Sequence, residues 1–204
     1  MKNSSYTPAQ ASAVTKLPLK TVHKLIDERL VRPHRQRVGR EVRRLLSQEQ
    51  LIYLKLEAEG LRLLPLAARR EVAKTIEASP HVDFVMLSGG RAIVIEVKAA
   101  RHEVSQELER LRKAQQMIVS DPEVMQGTPV FRGTRIPIDL AVDMMDRGAT
   151  VEEILEGYPA LDREKIGLAQ IFMRAFPRRG RPSRRPWAKQ KPIRIARQRR
   201  SLAG

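Results

Sequence analysis

Residues 18–59 read PLKTVHKLIDERLVRPHRQRVGREVRRLLSQEQLIYLKLEAE, and the fold is decided there. Leu19, Val22, Leu25 and Ile26 recur at helical spacing and predict a helix over about residues 18–29 with one apolar face. Lys20, Thr21, His23 and Lys24 lie off that face. Residues 35–38, a turn at Gly39-Arg40 and residues 41–46 then predict a two-stranded ribbon rich in arginine. Ser47 caps a helix that runs to about residue 59. Upstream, Thr7-Pro8-Ala9-Gln10 is a capping box with proline at the first helical position, opening a short helix to about residue 14. Helix, tight turn, helix, basic ribbon and helix in that order make a winged helix-turn-helix. Gly60 closes it, and a helix over about residues 66–78 is expected to pack behind.

Downstream, residues 82–97 alternate as a hairpin turning at Gly89-Gly90. A polar helix over about residues 101–116 follows, with Val104, Leu108 and Leu111 on one side. From Met117 onward, prolines and glycines mark turns around a short extended stretch, and three helices come after. Asp139 is expected to cap the first, which stops at Gly148. Thr150-Val151-Glu152-Glu153 is a second capping box, with Val151, Ile154, Leu155 and Tyr158 on one face and Pro159 as the stop. Asp162 caps the third, where Ile166, Ala169, Phe172 and Phe176 repeat at helical spacing. After Pro177 the periodicity fails. The expected organisation is therefore a DNA-binding domain over 1–78, a hairpin and linker helix over 79–116, a helical domain over 117–177 and a basic arm over 178–204. The fold class is mainly α with small β elements, the helical domain being a second small helix-turn-helix-like unit.

Charge narrows the partners. The chain of 204 residues carries 39 basic and 23 acidic side chains, a net +16. Eleven of the basic residues and none of the acidic ones fall in residues 178–204, which leaves 28 basic against 23 acidic in the body. A mildly basic body with a strongly basic arm points to polyanionic partners, nucleic acid or an acidic protein surface. The absence of cysteine removes disulfides, thiol catalysis and cysteine-ligated zinc. His23, His34, His81 and His102 have no metal-ligand spacing, so no cofactor is expected. No membrane span or apolar leader is visible, and a cytoplasmic protein is expected.

Four sets of residues are candidates for chemistry. Lys20, Thr21, His23 and Lys24 on the second helix, with Arg35, Arg37, Arg40 and Arg43 on the ribbon, supply donors for base edges and phosphates. In the arm, Trp187, Ile193 and Ile195 are interleaved with Arg184, Arg185, Lys191, Arg194 and Arg197. Apolar anchors among cations suit a segment that threads a protein groove better than one that only follows a phosphate backbone. Asp83, followed by a strand ending Glu96-Val97-Lys98, has the Asp…Glu-x-Lys pattern of a magnesium-dependent nuclease. Against that, a third core strand is missing. Arg132 and Arg135, in the loop from Gly127 to Pro137, suit phosphate or an acidic partner, but the glycines and prolines of that loop are accounted for by its turns.

Two stretches resemble known families. Residues 17–60, through Leu30-Val31-Arg32-Pro33, the arginine-rich wing and Leu45-Leu46-Ser47, resemble the DNA-binding half of the MerR-like regulators. Neither a long dimerising coiled coil nor effector-binding cysteines accompany it. Residues 120–182, with GTPVFRGTRIP, Glu152-Glu153-Ile154-Leu155 and Tyr158-Pro159-x-Leu161, resemble a small bacterial domain found in VapB-type antitoxins. That resemblance implies a non-enzymatic antitoxin, a PIN-type ribonuclease toxin as partner, and repression of its own operon. It would bind operator double-stranded DNA as a homodimer within a toxin–antitoxin hetero-oligomer. PIN-type nucleases hold magnesium with carboxylates, so an inserted Arg194 or Arg197 would displace the metal. A stand-alone transcription factor and the nuclease remain the alternatives.

Overall fold

The computed structural model describes residues 5–39, 41–87 and 93–177. Eight α-helices and three two-stranded antiparallel ribbons make up the described residues, so the fold is mainly helical.

Helix α1, Pro8–Thr15, starts on the capping box: the Thr7 hydroxyl accepts from Gln10 N while the Gln10 side chain accepts from Thr7 N at 2.8 Å. Lys16 ends it in the left-handed region at φ 62°, which turns the chain sharply into α2, Leu19–Asp27. Ribbon β1, His34–Val38, and β2, Glu41–Leu45, follows, with Gly39 at φ 61° supplying the turn. Tyr6 and Leu46 exchange backbone bonds beside it, so the start of the chain is tied to the base of the ribbon. Helix α3, Gln48–Glu59, begins with a second capping box, Ser47 and Gln50. Its Leu51, Ile52, Tyr53, Leu54 and Leu56 are all buried, so it is surrounded on most sides.

Helix α4, Leu66–Ala78, is clamped to α3 by a buried pair: Arg69 Nε and Nη2 donate to the two Glu57 carboxylate oxygens at 2.8 and 2.9 Å. The Tyr53 hydroxyl donates to the same carboxylate, and burial, then this bond, holds the phenol well above its ordinary range. Strands β3, Phe84–Leu87, and β4, Ile93–Glu96, form the second ribbon; the expected turn at Gly89-Gly90 lies outside the described residues.

Helix α5, Lys98–Met117, is the spine. It begins three residues earlier than the polar pattern suggests, because Ala100 already faces the core. Its 20 residues span about 30 Å and bury Ala100, Val104, Leu108, Leu111 and Ala114 against α1, α3 and the last helix. Lys55 Nζ joins α3 to α5 through Glu103 at 2.6 Å.

A third, very short ribbon pairs β5, Ile118–Val119, with β6, Val130–Phe131. Helices α6, Ile138–Asp146, α7, Val151–Gly157, and α8, Arg163–Ala175, complete the order. Thr150 and Asp162 cap α7 and α8 as expected. Asp139 does not cap α6: Pro137 holds that position, and Asp139 sits buried in the first turn. Helix α8 packs against α1, α5 and α6, so both ends of the described chain share one hydrophobic core. None of the described helices is long and apolar enough to cross a membrane.

Candidate nucleic-acid interface

The inner face of α2 is set by Val22, Leu25 and Ile26, all buried, which leaves Lys20, His23 and Lys24 exposed and Thr21 half-buried. Lys24 Nζ lies 3.6 Å from Glu28, an exposed pair one turn on. The helix is therefore oriented by its apolar residues, and its cations point away from the body because the core has no place for them.

The first ribbon pairs Arg35 with Arg44 and Arg37 with Val42, while Gln36 faces Arg43 and Val38 faces Glu41. Residues directly opposite share a face, so Arg35, Arg37 and Arg44 stand together and Arg43 lies on the other face. Arg44 was missed in the sequence reading. The signal was there: a two-residue turn at Gly39-Arg40 dictates that 35 meets 44. Arg43 Nε is 3.6 Å from Glu41, and Arg44 Nη1 is 3.7 Å from Asp27 at the end of α2. All these side chains are exposed, and Val42, 63% exposed, stands among them. Arg40 lies outside the described residues.

Helix and ribbon flank an open groove of about 880 Å³. Leu19 and His23 of α2, Val42 and Arg44 of β2, and the first turn of α1 line it. Phe176 and Pro177, just past α8, close one side. The C-terminal end of the described chain thus sits beside the α2–ribbon face, which separate domains in sequence would not have suggested. The groove's walls can meet a polyanion with the guanidinium groups of Arg43 and Arg44 and the imidazole of His23.

The remaining candidates fall elsewhere. Asp83, Glu96 and Lys98 do line one open pocket, together with Arg101 and His102. Arg101 Nη1 lies 3.1 Å from Asp83 Oδ1, so a cation already engages that carboxylate. The strands beside it are only β3 and β4, and no cluster of three or more His, Cys, Asp or Glu suited to a metal occurs among the described residues. Arg132 Nε donates to the Gln116 carbonyl at 2.7 Å, and Phe131 N donates to the Ile136 carbonyl, so the loop around Gly133 (φ 77°) is held by its own bonds. Arg135 is exposed. Arg184, Arg185, Trp187, Lys191, Ile193, Arg194, Ile195 and Arg197 lie outside the described residues.

The segment from β5 into α8 is a module of a recognised kind: the family model described as "Protein of unknown function (DUF433)" matches residues 118–172. The whole chain belongs to the family of the uncharacterized protein y4eO of Sinorhizobium fredii (strain NBRC 101917 / NGR234). The two are 31% identical over 194 residues, covering 85% of this chain and 82% of that one. Among solved structures, the X-ray crystal structure of Rv2018 from Mycobacterium tuberculosis matches 80% of this chain and 95% of its own. The identity is 14% and the TM-score 0.31, a likeness too slight to bear on the site.

Proposed function

We propose that this protein is a non-enzymatic DNA-binding repressor and the antitoxin of a PIN-type ribonuclease. The observation that carries the DNA reading is the groove that brings His23 of α2 together with Arg43 and Arg44 of the ribbon, with Lys20 and Lys24 exposed on the same helix and Arg35 and Arg37 exposed on the same ribbon. In that reading α2 enters the major groove and the ribbon follows the backbone as a wing, in the MerR-like manner. Base edges are read from α2 and phosphates are met by the ribbon. The arm supports the toxin half of the reading: Trp187, Ile193 and Ile195 would anchor in a protein groove, and Arg194 or Arg197 would pair with the carboxylates that hold the toxin's magnesium. The VapB-like motifs of residues 120–182 supply the class of toxin.

The test is co-expression of the full chain, and of a chain ending at Pro177, with the adjacent reading frame, scored by growth and co-purification. Rescue and co-purification by the full chain alone support an antitoxin that acts through its arm. Equal rescue by both chains removes the arm as inhibitor. A harmless neighbour that binds neither leaves a stand-alone DNA-binding regulator. The nuclease alternative draws only on the pocket shared by Asp83, Glu96 and Lys98. Magnesium-dependent cleavage lost in both Asp83→Ala and Glu96→Ala proteins would establish it.

A further inference from the structure

We infer that the second ribbon joins two copies of this chain: β4, Ile93–Glu96, pairs antiparallel with β4 of a second copy across a two-fold axis at Ile95. The inference concerns assembly; it goes beyond the DNA reading and does not depend on it.

The strand's surroundings come first. Its one strand neighbour among the described residues is β3. Ile93, Val94 and Ile95 are β-branched and apolar, the residue types that suit a sheet interior, yet none of them is buried. Val94 is 58% exposed and Ile93 43%. The backbone comes second. Val97 N donates to the Asp83 carbonyl at 2.7 Å, which fixes the alternation along the ribbon. Ile93 and Ile95, opposite Leu87 and Val85, turn their N–H and C=O groups to β3, so Val94 and Glu96 turn theirs to the open edge. Among the described residues those outward groups meet no hydrogen-bond partner. β4 holds neither lysine nor proline to block the edge, and an edge left open in this way is a template for another strand.

Symmetry and charge then name that strand. Antiparallel pairing of two identical strands about Ile95 sets Val94 opposite Glu96 of the second copy, and the reverse, so the outward N–H and C=O groups satisfy one another. Glu96 is the strand's single charge and stands at its end. The antiparallel pair therefore parts the two carboxylates, each beside a valine, whereas a parallel pair would set them side by side. The two ribbons become one sheet, which relieves the weakness of a two-stranded ribbon. Phe84 and Met86 stand on the face of that sheet and not at its joined edge. The particle then carries two α2–ribbon faces, which suits a DNA site of two-fold symmetry.

Sedimentation equilibrium of the full chain alone, over a range of concentrations, tests the pairing. The parent chain is expected to form a dimer that dissociates on dilution. Val94→Pro removes an N–H that bonds to nothing in the single chain, so the fold is kept while the dimer weakens roughly 10-fold. Val94→Glu sets a carboxylate beside Glu96 of the second copy and should weaken the dimer by a similar factor, roughly 10-fold. Val94→Lys sets an ammonium group there and should leave the dimer as tight as the parent. Circular dichroism checks that each variant is folded, and if Val94→Pro is not, the glutamate and lysine variants decide. A monomer at every concentration overturns the inference. So does a dimer that a folded Val94→Pro or Val94→Glu chain leaves intact, or one that lysine and glutamate weaken alike.

Discussion

The first and second ribbons share a plan and present opposite chemistry to solvent. Each is a pair of short antiparallel strands. Ribbon β1–β2 shows Arg35, Arg37 and Arg44 on one face, with Val42 as the single apolar residue among them. Ribbon β3–β4 buries Val85 and Leu87 and turns Phe84 and Met86 outward, 54% and 70% exposed, opposite Glu96 and Val94. Two-stranded ribbons are barely stable alone, so each depends on the body beneath it. The second is seated by its buried residues against the helices, and β3 contacts α4. The first is held by Leu45, Leu46 and the backbone bonds between Leu46 and Tyr6, which leaves Arg35, Gln36, Arg37, Val42, Arg43 and Arg44 exposed. The lesson is that ribbon geometry does not define a nucleic-acid contact. Register does, by deciding which side chains stand together and which are spent on the core.

The comparison can be broken from below. Arg69→Ala would leave the Glu57 carboxylate buried without its guanidinium and should cost about 3–5 kcal/mol, read by denaturant unfolding. Retained stability would mean that the α3–α4 base under the second ribbon is held otherwise. The next effect concerns the first ribbon alone. Arg35→Gln, Arg37→Gln and Arg44→Gln together should weaken duplex binding roughly 100-fold near physiological salt, with the unfolding midpoint unmoved. Unaltered binding would place the ribbon off the DNA.

Tyr53→Phe comes third and should cost about 1–2 kcal/mol at neutral pH for the lost bond to Glu57. The phenol is held above its ordinary value of 10.0, so its contribution is present below about that pH and is lost as the unfolded chain ionises above it. The stability gap between parent and Tyr53→Phe should therefore narrow as pH rises past 10, followed by chemical unfolding. A constant gap would contradict the assigned environment. Smallest of all, Phe84→Ser with Met86→Ser should change stability by less than about 0.5 kcal/mol and leave duplex affinity alone. A large loss of affinity would put DNA on the wrong ribbon.

Much of the fold was legible because its local signals are chemical. Thr7, Ser47 and Thr150 open helices by the reciprocal bonds of a capping box, and the apolar stripe of α2 names its inner face. What stayed hidden depends on long-range contact. The apolar residues α1 buries, Ala11, Ala13 and Val14, are small and say nothing of the partner, so its packing on α8 could not be read. Strands of two residues, Ile118–Val119 and Val130–Phe131, are too short for a period. Asp139 looked like a cap because its residue type favours that position, yet Pro137 starts the helix. On the candidate site, the buried face of α2 was legible from Val22, Leu25 and Ile26, with Leu19 the exception, whereas the ribbon needed its register, which sets Arg44 beside Arg35 and Arg37. The groove that reaches Pro177 depends on α8 lying beside α1, and so it was invisible.

Amide hydrogen exchange of the full chain, with and without the duplex from upstream of its own reading frame, tests the central claim most directly. The account predicts new protection over Leu19–Asp27, His34–Val38 and Glu41–Leu45, with exchange at Phe84–Leu87 and Ile93–Glu96 unchanged. Protection confined to the second ribbon, or none at α2 and the first, would contradict it.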